Sequence, residues 1–213
     1  MKKIFLLLTG IFFSITVWAQ SNFTPVSSAG IVAIKNAIKE KNSQINTMTC
    51  PFVQTKKMEI LNESAVTKGV MYFKKTDKFR WEYLSEVPFV FVQNGNRFYT
   101  KIDGKVTEVK GNNARMFQEI SKMVIASMNG EILEDTKKFK TEFHENNSVV
   151  VVTLTPTQKN MHSFIKEMKL YFSKKTYWVS KIEIFESENE CTSIQFENIQ
   201  ENKVIADSIF ELK

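Results

Sequence analysis

FVFVQNGNRFYTKIDGKVTEV, residues 89–109, decides the fold. Three alternating stretches, 89–93, 97–102 and 105–109, are separated at Asn94-Gly95 and Asp103-Gly104. Asn-Gly and Asp-Gly between alternating runs favour tight hairpins, because these residues tolerate the positive φ that two-residue turns require. Consecutive hairpins make an antiparallel meander. Upstream, Phe79-Arg80-Trp81-Glu82-Tyr83 is the clearest alternation in the chain, with Phe79, Trp81 and Tyr83 on one face and Arg80 and Glu82 on the other. The tetrad Lys75-Thr76-Asp77-Lys78 forms the turn from a strand at 66–74, and Phe52 to Lys56 opens the series.

Helices interrupt this pattern twice. Ser27 or Ser28 caps a helix to about Lys41, with Ile31, Ile34 and Ile38 on one face. Asn112 or Asn113 caps a second, ending at Asn129-Gly130, whose broad apolar face holds Met116, Phe117, Ile120, Met123, Val124 and Met128. Strands resume at 138–143, 148–154, 163–172, 178–186, 192–198 and 203–206, with a loop at Pro156 to Asn160. No repeat or linker divides the chain, so one domain is expected. Ten or eleven antiparallel strands in one domain must curl, which predicts a mainly β barrel or half-barrel with two short helices on one side.

The amino terminus predicts export. Lys2 and Lys3 precede an apolar run at 4–17, and Val17-Trp18-Ala19 offers a cleavage site. That is the three-part pattern of a secretory signal peptide over residues 1–19, leaving 20–213 as the mature domain. The run is shorter than the roughly 20 residues that span a bilayer. Losing the two lysines lowers the net charge from +6 to +4. Basic and acidic residues are interspersed, which argues against nucleic-acid binding. Cys50 and Cys191 are the only cysteines. An even number in an exported chain predicts a disulfide between them, worth roughly 5 kcal/mol by loop entropy; two separately buried thiols are the other reading.

Catalytic motifs are sparse. His144 and His162 lack ligands at metal spacing, so no metal or other cofactor is expected. No phosphate loop or nucleophile elbow occurs, and a carboxylate pair such as Glu82 with Glu108 carries no mark of acid–base work. What stands out is 18 Phe and 9 Met against 7 Gly. Inward aromatics in a wide barrel enclose a cavity, and methionines on a covering helix give it an adaptable wall. The candidate lipid-binding residues are Phe52, Tyr72, Phe79, Trp81, Tyr83, Phe89, Phe91, Phe98, Met116, Phe117, Ile120 and Met123. A non-enzymatic carrier of an apolar ligand is the expectation.

Four segments in order resemble the LolA family of periplasmic outer-membrane lipoprotein carriers. They are Phe52-Val53-Gln54-Thr55, the run from Gly69 through Asp77 to Trp81, Gln93-Asn94-Gly95 to Tyr99, and Thr192-Ser193-Ile194-Gln195-Phe196-Glu197-Asn198 with Asp207 to Phe210. The resemblance implies an unclosed β-barrel whose helix-covered concave face receives the acyl chains of a lipoprotein or related lipid. It implies transfer from an ATP-driven inner-membrane complex to an outer-membrane acceptor, by a monomer. Lys75 matches a basic position, usually Arg, that holds the lid helices through backbone contacts; Thr76 replaces a usual Pro. The same fold serves carriers of glycolipid or aryl-polyene intermediates and a protein-binding envelope sensor, so cargo does not follow from fold.

Overall fold

Alternation and turn chemistry generate two meanders. The structure, a computed structural model, describes residues 22–57, 64–75, 77–84, 88–162 and 165–212, with side chains omitted at 112, 113, 115–117, 119, 120 and 160. A two-residue strand β1 (Thr24–Pro25) precedes helix α1 (Ser28–Ser43). The first meander comprises β2 (Thr47–Lys57), β3 (Ser64–Lys74), β4 (Lys78–Tyr83), β5 (Phe89–Asn94), β6 (Arg97–Ile102) and β7 (Lys105–Val109). Helix α2 (Gly111–Asn129) and a 3₁₀ turn (Glu131–Glu134) lead to the second. It comprises β8 (Phe139–Glu145), β9 (Val149–Pro156), β10 (Glu167–Ser173), β11 (Val179–Phe185) and β12 (Cys191–Phe196), followed by the short β13 (Gln200–Glu201). The expected signal peptide at 1–19 and Thr76 lie outside the described residues.

All pairings are antiparallel and form one sheet in the order β1-β8-β9-β10-β11-β12-β2-β3-β4-β5-β6-β7, with β13 beside β2. β1 and β7 are its edges, so the barrel is unclosed. The meanders join where β12 pairs with β2, Phe196 opposite Phe52. Both glycine hairpins form: Gly95 has φ +62°, and Asp103 and Gly104 have φ +48° and +78°. These match turns with positive φ at the first, or at both, central positions.

Connectivity explains the cover. β7 is one edge and β8 sits near the other, so α2 and its 3₁₀ turn must pass from one side of the curled sheet to the other. α1 packs on the same face. Ser27 Oγ accepts from Gly30 N at 3.2 Å and caps it, and Ile34 and Ile38 are buried. Each such isoleucine stabilises docking by roughly 1.5–3 kcal/mol. Lys41 ties the helix end to Glu201 of β13 at 2.7 Å.

The opposite, outer face has its own small core. The 3₁₀ turn Asp207–Phe210 brings Phe210 against Val90 and Val92, with Tyr72 and Tyr99 packed beside them. Arg80 Nη1 donates to Ile209 O at 3.0 Å, and Asp207 pairs with Lys74 at 2.7 Å and Lys78 at 3.0 Å. The strand expected at 203–206 is therefore absent. Asn202 turns the chain with φ +54°, Thr47 Oγ1 donates to Lys203 O, and the segment crosses over the outer face with Ile205 buried. The strand expected from 163 begins at Glu167, after a single helical turn at Lys159–His162.

Candidate functional site

Neighbouring strands place aromatic side chains of the same parity side by side on the helix-covered face. Trp81 lies opposite Phe91, Tyr83 opposite Phe89, and Phe52 opposite Gly69. The Phe52 and Trp81 rings stack with centroids 4.0 Å apart. Contacts then run from Phe79 to Trp81 (6.3 Å) and Phe91 (6.2 Å), from Phe91 to Phe98 (6.2 Å), and from Trp81 through Tyr83 to Phe89 (6.2 and 6.1 Å). Such pairs add about 0.5–1.5 kcal/mol each beyond area burial. Seven of the twelve expected lipid-binding residues thus form one continuous aromatic surface.

Gly69 makes this arrangement feasible. A Cβ there would sit 2.1 Å from Phe52 Cζ and 2.4 Å from Glu82 O, so the ring lies directly over bare backbone. Two polar contacts punctuate the surface. Tyr83 Oη donates to Gln54 Oε1 at 2.9 Å, and Ser121 Oγ donates to Gln93 Oε1 at 2.9 Å, both partners of the second pair being buried. The Ser121–Gln93 bond joins α2 to β5 beside Phe79 and Phe98. Burial of polar groups is tolerated because each is satisfied.

The rings fill the interior: Phe52, Phe79, Phe91, Phe98 and Trp81 are all buried. Among the described residues, space remains on both sides of the end of α2. A cavity of about 390 Å³ lies between α1, β3 and α2, floored by Ile45, Met48, Met71, Phe73 and Met128 and rimmed by charged side chains. Another of about 510 Å³, lined by Met123, Ile132, Phe139 and Met161, lies against the start of β8. Of the four lipid-binding residues expected on α2, Met123 is described, partly buried against the core. The side chains of Met116, Phe117 and Ile120 lie outside the described residues.

Tyr72 is a correction. A four-residue turn at 75–78 would put Tyr72 beside Trp81. In the structure Lys78 belongs to β4 opposite Lys74, so Met71 meets Trp81 and Tyr72 meets Arg80 on the outer face. One residue of register exchanges the faces of a strand. Met71 and Phe73, missed in the sequence, occupy the position expected for Tyr72; the spacing of the turn was the signal.

The disulfide is a second correction. Cys50 and Cys191 are both free thiols. Cys191 pairs with Lys57, seven residues along β2 from Cys50, about 23 Å at strand rise and far beyond bridging reach. Cys50 is fully buried, and that burial pushes its thiol up to about 12. Glu82 and Glu108 lie three strands apart and bind Arg80 and Arg97 respectively. Lys75, the expected latch residue, donates from Nζ to Ser43 O, the last residue of α1, at 3.1 Å.

Comparison with known proteins extends this geometry. A family model described as outer membrane lipoprotein carrier protein LolA matches residues 43–213. Among curated proteins none matches. An uncharacterised conserved protein from Thermus thermophilus superposes with a TM-score of 0.51 at 6% identity, over 84% of this chain and 91% of that one. A LolA-superfamily protein from Nitrosomonas europaea gives 0.41 at 10%, over 83% and 97%. A lipoprotein-sorting protein domain from Vibrio parahaemolyticus gives 0.42 at 11%, over 84% and 95%. On that match over residues 43–213, this chain belongs to the LolA family of outer membrane lipoprotein carriers.

Proposed function

We propose that the chain is a periplasmic carrier that takes the acyl chains of a lipoprotein, or a related lipid, between its aromatic surface and its helices. Cargo passes from an ATP-driven inner-membrane complex to an outer-membrane acceptor, and the carrier itself performs no chemistry. The observation that carries this reading is the aromatic surface from Phe52 to Phe98 on an unclosed sheet. A closed barrel admits a chain only through its end. An open one needs only to lift its helices, and the rings then exchange contacts with each other for contacts with methylenes, each worth about 0.8 kcal/mol on burial.

The described state is the closed one. Lys75 acts as a latch through Ser43 O, alongside Lys35 Nζ donating to Leu133 O at 2.9 Å and the Ser121–Gln93 bond. Individual hydrogen bonds of this kind contribute roughly 0.5–1.5 kcal/mol, so the cover is held by contacts a cargo can replace. Titrating delipidated protein with a fluorescent fatty-acid probe tests the reading, with mass spectrometry of material bound to gently purified protein. Saturable uptake and co-purified acylated material are expected; absence of both sinks the carrier. A protein-binding module of the same fold is favoured by the burial of Phe52, Phe79, Trp81, Phe91 and Phe98, and it predicts a protein partner captured without any lipid uptake, whereas a lipid sensor would show both.

A further inference from the structure

The cavity between α1, β3 and the end of α2 differs from the aromatic surface in carrying charge at its rim. Lys35, Lys39 and Lys75 line it, together with Glu131 and Glu134. Lys35 is engaged, 3.5 Å from Glu134 and bonded to Leu133 O. Among the described residues Lys75 has only a neutral carbonyl as acceptor. Among the described residues Lys39 has no hydrogen-bond or ion-pair partner. Lys35 and Lys39 also stand four residues apart on α1, a like-charge spacing that disfavours a helix. Both carboxylates come from the single turn at Glu131–Glu134, leaving the α1 and β3 side of the mouth cationic.

Beneath this rim the floor is apolar, formed by Met48, Met71, Phe73 and Met128. Met71 and Phe73 lie opposite Trp81 and Phe79, so the floor continues into the aromatic surface. A volume of about 390 Å³ is near the lower end of ligand cavities, enough for one chain end and not for several.

We infer that this cavity seats the polar end of a single-chain amphiphile with an anionic headgroup, a carboxylate or a phosphate monoester, paired with Lys39 and Lys75. The inference rests on the carrier reading and specifies its ligand. An ionised acceptor forms a stronger bond to an ammonium group than a carbonyl does. The headgroup therefore draws Lys75 away from Ser43 O, and arrival of cargo loosens the end of α1.

The test compares dodecanoate, dodecyl phosphate and uncharged monododecanoylglycerol below their micellar concentrations, with inorganic phosphate as a fourth ligand, on the full mature chain. The expected result is about tenfold tighter binding of the two anionic amphiphiles than of the uncharged one at low salt. Lys39→Gln reduces that preference by about threefold to fivefold without weakening the uncharged ligand, and Lys39→Arg retains it. Equal binding of charged and uncharged chains in the wild type, or a preference that Lys39→Gln leaves intact, overturns the inference while the carrier reading stands. Inorganic phosphate binding as tightly as dodecyl phosphate also overturns it, since the site would then be a free-anion site. If no amphiphile binds, the carrier reading fails, and this inference with it.

Discussion

Gly69 shows how much can rest on one missing side chain. The Phe52 ring occupies the place of its Cβ and stacks on Trp81, so the aromatic surface is continuous only if residue 69 is bare. Gly69→Ala is expected to destabilise by about 1–3 kcal/mol as overpacking forces Phe52 from its rotamer, seen as a lower denaturant midpoint with an unchanged slope. Loss of the Phe52–Trp81 stack should also alter the tryptophan emission. An unchanged midpoint would show that the ring moves aside at no cost. Tyr72 carries the complementary lesson. Its alternation with Phe73 was plain in the sequence, but which of the two faces the helices depends on whether the turn before β4 has three residues or four. No local property of Tyr72 encodes that count.

At the scale of elements, the helices and the carboxyl-terminal turn are fastened by polar contacts at opposite faces of the sheet. Lys75→Ala removes the donor to Ser43 O. Because Lys41–Glu201 also holds the end of α1, global stability is expected to fall by no more than about 1 kcal/mol. Hydrogen exchange in the last turn of α1 should nevertheless quicken, and Lys75→Arg should restore protection; unchanged exchange in Lys75→Ala would remove the latch. On the outer face, hydrogen bonds from Lys74 and Lys78 hold the Asp207 carboxyl below its usual range. A depressed carboxylate contributes stability that is present above its unfolded value, near 3.9, and lost as pH falls through the lower folded value. The 3₁₀ turn at Asp207–Phe210 is thus expected to loosen below about pH 4, exposing Phe210. Asp207→Asn should remove that acid-dependent part of the melting profile, and a profile identical to wild type would refute the assignment.

Over the whole molecule, the meanders were legible because alternation and glycine turns are local signals. Residues 89–109 fold as read, and α2 begins two or three residues before its expected start. The free cysteines were not legible. Whether Cys50 and Cys191 meet depends on the register between β2 and β12, which a pair of distant strands does not announce. The protein is therefore expected to keep the same melting temperature with and without reductant. Cys50, buried with its thiol raised to about 12, should resist alkylation at neutral pH until the chain is denatured. A mass deficit of two hydrogens, or a melting temperature lowered by reductant, would reinstate the bridge. The position of the charged cavity was equally hidden, since Lys39 and Lys75 are brought together only by the packing of α1 over β3.

The pairing of β2 with β12 has a consequence in time as well as in space. Each meander is built from neighbours in sequence, whereas Phe52 and Phe196 meet across most of the chain. Contacts of such separation carry the largest closure entropy and form slowly. The two halves are therefore expected to acquire their hairpins first and to zip together along this line last. Until they do, the aromatic half lacks its neighbour across the β2–β12 line. A newly made chain thus spends its early life as two open ribbons, one exposing Phe79, Trp81 and Phe91 to water, and the single continuous sheet is completed in a late step.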